Sequence, residues 1–136
     1  MKRILFVCKY NRFRSRVAEA YFKKMNKNTN YYVESAGLFQ GLYPLNKKQV
    51  DVAAEYGIKL AGRPRAISED LLRKQDIIVI VADNVPMDIF PPYINKKRII
   101  KWEISDDKGN TDKEIAEIIL AIKNKVGEFV RSLDER

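Results

Sequence analysis

The sequence predicts an α/β fold, a parallel β-sheet with helices on both faces. Apolar runs such as Ile4-Leu5-Phe6-Val7 and Ile77-Ile78-Val79-Ile80-Val81 lack polar alternation, as strands buried on both sides do. Segments of helical period separate such runs, and strands alternating with helices imply right-handed crossovers between parallel strands. No internal repeat, low-complexity stretch or linker interrupts the alternation. At 136 residues the chain fits one domain, 1–136, long enough to bury a core.

Each element has its own signal. Residues 3–8 read as the first strand. From Ser15 to about Lys27 the period turns helical, with Ala18, Tyr21, Phe22 and Met25 on one stripe and Lys23, Lys24 and Lys27 on the other. Tyr31 to Ser35 is a short second strand ending in Ala36-Gly37. Leu45, Gln49, Val52, Ala53 and Tyr56 mark a second helix, stopped by Gly57 where a C-cap belongs. Ser68 before Glu69-Asp70 reads as the N-cap of a short helix. Asp76 to Val81 is the third strand, Asn84 to Phe90 a brief helix before Pro91-Pro92, and Arg98 to Ile104 the fourth strand. Thr111 and Glu114 form a capping box for a last helix, whose stripe runs through Ile115, Ile118, Ile119, Ile122, Val126, Phe129, Val130 and Leu133.

Such sheets bind ligands beyond the carboxyl ends of their strands. Cys8 closes the first strand and residues 105–110 follow the fourth, so both loops belong to one edge. A lone cysteine closing an apolar strand is, on position alone, a small core residue. Here it stands five residues before Arg14-Ser15. A phosphate-sized oxyanion needs inward N–H groups, a helix N-terminus and a guanidinium fork, and Lys9-Tyr10-Asn11-Arg12-Phe13-Arg14-Ser15 offers all three. The field that holds the anion also favours a thiolate, which makes Cys8 a nucleophile. Arg14 is the bidentate donor. Ser15 reads as a helix N-cap whose hydroxyl can also donate to the thiolate, the two roles being compatible. Asn11 tolerates the left-handed conformation that a tight cradle requires. Arg12 is either a solvated charge at the mouth or a second anion contact, and Tyr10 and Phe39 are candidate aromatic walls. These residues imply a cysteine-dependent phosphatase.

Composition bounds the alternatives. Hydrophobic content of 46% and charged content of 32% fit a soluble globular protein, and no apolar run approaches a membrane span. One cysteine rules out an intramolecular disulfide and makes the cytoplasm the expected compartment. Twenty-six basic against 18 acidic residues give a net charge of +8, which favours anionic partners. The basic residues, including Lys23-Lys24, Lys47-Lys48 and Lys96-Lys97-Arg98, are scattered as solvated faces, without a recognition-helix pattern for nucleic acid. With no histidine, an imidazole base and most zinc sites are excluded.

Residue by residue, the chain resembles the low-molecular-weight protein tyrosine phosphatase family, which includes thioredoxin-linked arsenate reductases. Cys8, Asn11, Arg14 and Ser15 match its loop, Ala18-Glu19 the start of its first helix, and Ser35-Ala36-Gly37 the end of its second strand. Arg63-Pro64-Arg65 sits where an Ala-Arg pair often occurs. Asp83 falls near the family's Asp after the third strand, and Trp102 to Asp106 is similar to the stretch entering its Asp-Pro acid loop. The resemblance implies a flavodoxin-like three-layer α/β/α fold with four parallel strands in the order 2-1-3-4. It departs from the family at Tyr10, Arg12 and Phe13, and at Asp106-Asp107, where the proline is missing.

What it implies chemically is phosphoryl transfer through a phosphocysteine. Cys8 attacks phosphorus, loop amides and Arg14 hold the oxygens, and Asp106 is the general acid, with Asp107 as the neighbouring alternative. No metal or cofactor is required. The substrate is a phosphorylated protein or small phosphomonoester, and inorganic phosphate is the product. Phosphoarginine hydrolysis, arsenate reduction with an external thiol, and a phosphate- or phosphoprotein-binding module without turnover are the competing readings. A nucleic-acid-binding protein is the weakest of them.

Overall fold

The computed structural model describes residues 1–96, 98–109 and 111–134; Lys97 of the basic run and Asn110 of the polar loop lie outside them. The chain runs β1 (Lys2–Cys8), α1 (Arg14–Met25), β2 (Tyr31–Gly37), α2 (Lys47–Glu55), α3 (Glu69–Arg73), β3 (Ile77–Val81), β4 (Arg98–Trp102) and α4 (Asp112–Asp134). The strands are all parallel, in the order β2-β1-β3-β4. This is a flavodoxin-like α/β arrangement.

Alternate side chains of each strand feed different cores, as the two-residue period of a strand requires. Ile4, Phe6, Ile77, Val79 and Val81 pack under α1, α2 and α4, with Val17, Phe22, Val52, Ile119 and Phe129. Phe6 is the hub of that layer, its ring 5.9 Å from Phe22 and Trp102 and 6.3 Å from Phe129. Leu5, Val7, Ile78 and Ile80 face the opposite way, toward Leu71 and Leu72 of α3 and toward Ile94.

The punctuation mostly forms as expected. Ser68 accepts the Leu71 amide at 3.1 Å, and Gly57 takes a positive φ of 77° after α2. Asn46, which carried no expectation, caps α2 by accepting the Gln49 amide at 3.0 Å. Two expectations shorten. The brief helix is a single 3₁₀ turn, Met87–Ile89, and β4 ends at Trp102, where the chain turns so that Ile104 donates back to the Trp102 carbonyl. Half of the capping box is present: the Glu114 amide donates to Thr111 Oγ1 at 3.2 Å, whereas the Glu114 carboxylate turns to the loop before α4. Among the described residues no helix is long and apolar enough to cross a membrane.

Beyond the carboxyl edge, the strand order reverses between β1 and β3. The connection from β1 leads to one side and the chain returns on the other, leaving a crevice there. The loops after β1, β3 and β4 meet in it.

Candidate active site

The β1–α1 loop is held from behind by β2. Leu38 and Phe39 donate to the carbonyls of Cys8 and Lys9, each at 2.9 Å. Gly37 is required at this crossing, because a Cβ there would lie 2.5–2.6 Å from atoms of Phe39, Asn11 and Tyr10. Asn11 takes a positive φ of 55° and is 1% exposed. Its side-chain amide donates to Ser15 Oγ at 2.8 Å and to Ser35 Oγ at 3.1 Å, while its Oδ1 accepts the Arg65 amide at 3.1 Å. Arg16 Nε donates to the Asn11 carbonyl at 2.6 Å. Burial draws the Arg16 pKa below its ordinary value, against the pull of Glu19 and Cys8. The loop is thus braced on every side except the cleft. Among the described residues the amides of Lys9, Tyr10, Asn11, Arg12 and Phe13 donate to no other group.

Cys8 Sγ lies at the base of the loop, 3.1 Å from Ser15 Oγ. The Ser15 oxygen already accepts from Asn11, which leaves its proton for the sulfur. Ser15 does not cap α1. The N-cap position falls on Phe13, which makes no side-chain capping bond.

Arg14 opens α1 with its guanidinium buried and directed across the sheet edge. One terminal nitrogen donates to the Ile104 carbonyl at 2.9 Å and the other to Asn84 Oδ1 at 3.0 Å. Asp83 stands 3.5 Å from the first and Asp106 3.7 Å from the second. Asn84 and the Ile104 carbonyl were not legible in the sequence. Their only signal was position, directly after Asp83 and directly before the acid-bearing loop.

The loop after β4 brings its two aspartates to different partners. Asp106 meets Arg14 and accepts the Asp107 amide at 2.9 Å. Asp107 receives the Gln49 side-chain amide at 3.4 Å, across from α2. Glu114 accepts the amides of Lys108 and Gly109, the second at 2.8 Å. A side-chain hydrogen bond with Asp107, followed by those backbone donors, holds the Glu114 carboxyl below the usual carboxylate range.

Cys8, Tyr10, Arg12, Phe13, Arg14, Asn46, Gln49, Asp106 and Asp107 line one cleft of about 370 Å³. Lys9 stays outside it, with its ammonium 5.3 Å from the centre of the Tyr10 ring, and Asn11 is turned into the protein as a brace. Tyr10 and Phe39 meet at 6.0 Å between ring centres, but Tyr10 alone of the two lines the cleft. Arg12 is anchored rather than freely solvated. It donates to the Pro44 carbonyl at 2.9 Å, and its stem runs so close to Gly41 that a Cβ there would lie 2.4 Å from Arg12 Cγ. No group of three or more Cys, Asp or Glu among the described residues is placed to hold a metal ion.

Comparison with known proteins agrees with this architecture. The chain is 28% identical over 138 residues to arsenate reductase 1 of Staphylococcus haemolyticus, covering 97% of each chain. It superposes on a protein tyrosine phosphatase from Entamoeba histolytica with a TM-score of 0.85 at 22% identity, over 99% of this chain and 98% of that one. An arginine phosphatase from Geobacillus stearothermophilus gives the same TM-score at 20% identity, over 99% and 94%. At these identities the two superpositions speak to the fold. Membership rests on a sequence profile, described as low molecular weight phosphotyrosine protein phosphatase, that matches residues 3–136. The chain belongs to that family.

Proposed function

We propose that this protein is a phosphomonoester hydrolase of the protein tyrosine phosphatase type, working through a phosphocysteine. The observation that carries the reading is the loop itself: five consecutive amides without acceptors among the described residues, around a sulfur whose neighbouring hydroxyl has its proton to give. Such a ring of donors suits three phosphoryl oxygens, and it is costly to leave unsatisfied without an anion or water.

In the first step the Cys8 sulfur bonds to phosphorus as the bond to the leaving oxygen breaks, and Asp106 gives that oxygen a proton. Water then attacks phosphorus, Asp106 takes the proton back, the S–P bond breaks and phosphate leaves. The loop amides and Arg14 balance the negative charge throughout, so catalysis is mostly positioning and electrostatics. Ser15 eases departure of the thiolate. Tyr10 offers one face to an aromatic leaving group, which favours phosphotyrosine. Phosphoarginine and small phosphomonoesters are the competing substrates within the same chemistry.

Arsenate reduction is the second reading, favoured by the name of the Staphylococcus haemolyticus relative. Reducing arsenate takes two electrons, which two thiols supply on becoming a disulfide. This sequence carries one cysteine, so the second thiol comes from another molecule.

Rapid-mixing hydrolysis of para-nitrophenyl phosphate tests the proposal. Wild type gives a burst of nitrophenolate stoichiometric with enzyme, then steady turnover, and Cys8→Ser gives neither. Turnover of arsenate with an added thiol, and none of aryl phosphate, phosphotyrosine or phosphoarginine peptides, puts the second reading first. Anion binding without turnover of any of them leaves a binding module.

A further inference from the structure

The two adjacent aspartates after β4 lack a proline to fix their register, and Lys108-Gly109 follows them. Glycine there adds backbone freedom, so something else must hold the segment if one aspartate is to meet Arg14 reproducibly. The observed hydrogen bonds identify what does. A single oxygen of Glu114, in the first turn of α4, accepts the amides of Lys108 and Gly109. Two consecutive peptide planes converging on one carboxylate oxygen fix the direction in which the chain leaves Asp107. The Asp107 amide in turn donates to Asp106 Oδ1.

We propose that Glu114 is a positioning residue for Asp106, anchoring the two residues that follow the aspartate pair so that Asp106 faces Arg14 while Asp107 is directed to Gln49. The proposal rests on the phosphatase reading for its catalytic consequence. The anchor itself does not. In an ordinary capping box the Glu114 carboxylate would accept the amide of the N-cap residue, Thr111, three residues back. Here it reaches five and six residues back, into the loop that carries the acid. Asp107 itself accepts the Gln49 side-chain amide at 3.4 Å, on the α2 side of the cleft.

The test combines amide hydrogen exchange with kinetics. In wild type the Lys108 and Gly109 amides are protected; in Glu114→Ala they exchange at unprotected rates. Glu114→Gln keeps an accepting oxygen and restores most of the protection. Kinetically, Glu114→Ala slows phenyl phosphate by about tenfold or more and para-nitrophenyl phosphate by less than about threefold, because only the poor leaving group needs a positioned acid. Added to Asp106→Asn, Glu114→Ala causes no further loss, since it acts through a carboxyl already removed. Vanadate affinity stays within about twofold of wild type, which shows the Cys8 loop intact.

Equal slowing of both substrates, multiplication of the two mutants' effects, or identical amide exchange in wild type and Glu114→Ala overturns the proposal. Protected amides in a wild type that hydrolyses neither ester overturn the phosphatase reading instead and leave the anchor standing. If Glu114→Ala does not fold, Glu114→Gln and the wild-type exchange rates decide the matter.

Discussion

Asp106 stands 3.7 Å from a buried guanidinium with 48% of its side chain in solvent, close enough to feel Arg14 and free enough to meet a substrate oxygen. Asp106→Asn is therefore expected to slow phenyl phosphate by about a hundred- to ten-thousand-fold and para-nitrophenyl phosphate far less. Steady-state kinetics with both esters checks it, and Asp107→Asn, which alters a residue bonded to Gln49, should affect both esters modestly and alike. Arg14→Lys tests a different property. Lysine keeps a charge but loses the fork that reaches Ile104 and Asn84 together, so kcat should fall on the order of 10²–10³-fold with the fold intact by circular dichroism.

The β1–α1 loop is the element on which the cleft depends, and Asn11 does two jobs in it. Its backbone supplies the positive φ and its side chain ties together Ser15, Ser35 and the Arg65 amide. Asn11→Gly keeps the first and loses the second, whereas Asn11→Ala loses both. The expected order of phosphate or vanadate affinity is wild type, then glycine, then alanine, with alanine costing about 1–3 kcal/mol of stability in urea unfolding. Much of this element was legible in the sequence, because the Cys8-to-Ser15 spacing and the tolerance of asparagine for left-handed backbone are local properties. Strand and helix identities were legible for the same reason: period and capping residues lie within a few positions of one another. What stayed hidden came from afar. Asn84, the Ile104 carbonyl and Gln49 reach the site across the sheet edge from three separate connections, and no spacing in the chain encodes that meeting. Ser15 is not the N-cap because that position falls two residues earlier, on Phe13, and the Ser15 hydroxyl lies against the sulfur instead. The capping box forms by half because the Glu114 carboxylate accepts the Lys108 and Gly109 amides of the preceding loop.

For the molecule as a whole, the charged cluster at the β2 edge links stability to pH. Glu34 is 6% exposed and accepts from Arg3 at 3.0 Å, Gln75 at 2.9 Å and Arg65 at 3.1 Å. Burial alone would raise the Glu34 pKa; the hydrogen bonds from Gln75, Arg65 and Arg3 outweigh it, and the net shift is downward. A carboxyl with a lowered folded pKa adds stability above its unfolded pKa, and that stability is lost as pH falls through the folded value. Glu34→Gln should cost about 1–3 kcal/mol near neutrality and progressively less below about pH 4.5, read by urea unfolding across that range. Phe6→Ala, at the centre of the helical layer, should cost about 3–5 kcal/mol at all pH values, a contrast that separates packing from charge. The strand order has a further consequence, in time rather than in space. β1 is made first yet lies between β2 and β3, and the cleft draws on residues from Cys8 to Asp107. A chain emerging from the ribosome therefore holds its sulfur and loop early but has no complete site until β4 and the loop after it are out. Long-range parallel pairing is also slow to form. On the proposed phosphatase reading, chemistry at Cys8 waits until the sheet is whole, and a stalled chain carries the thiol without Asp106 and Asp107 of the cleft.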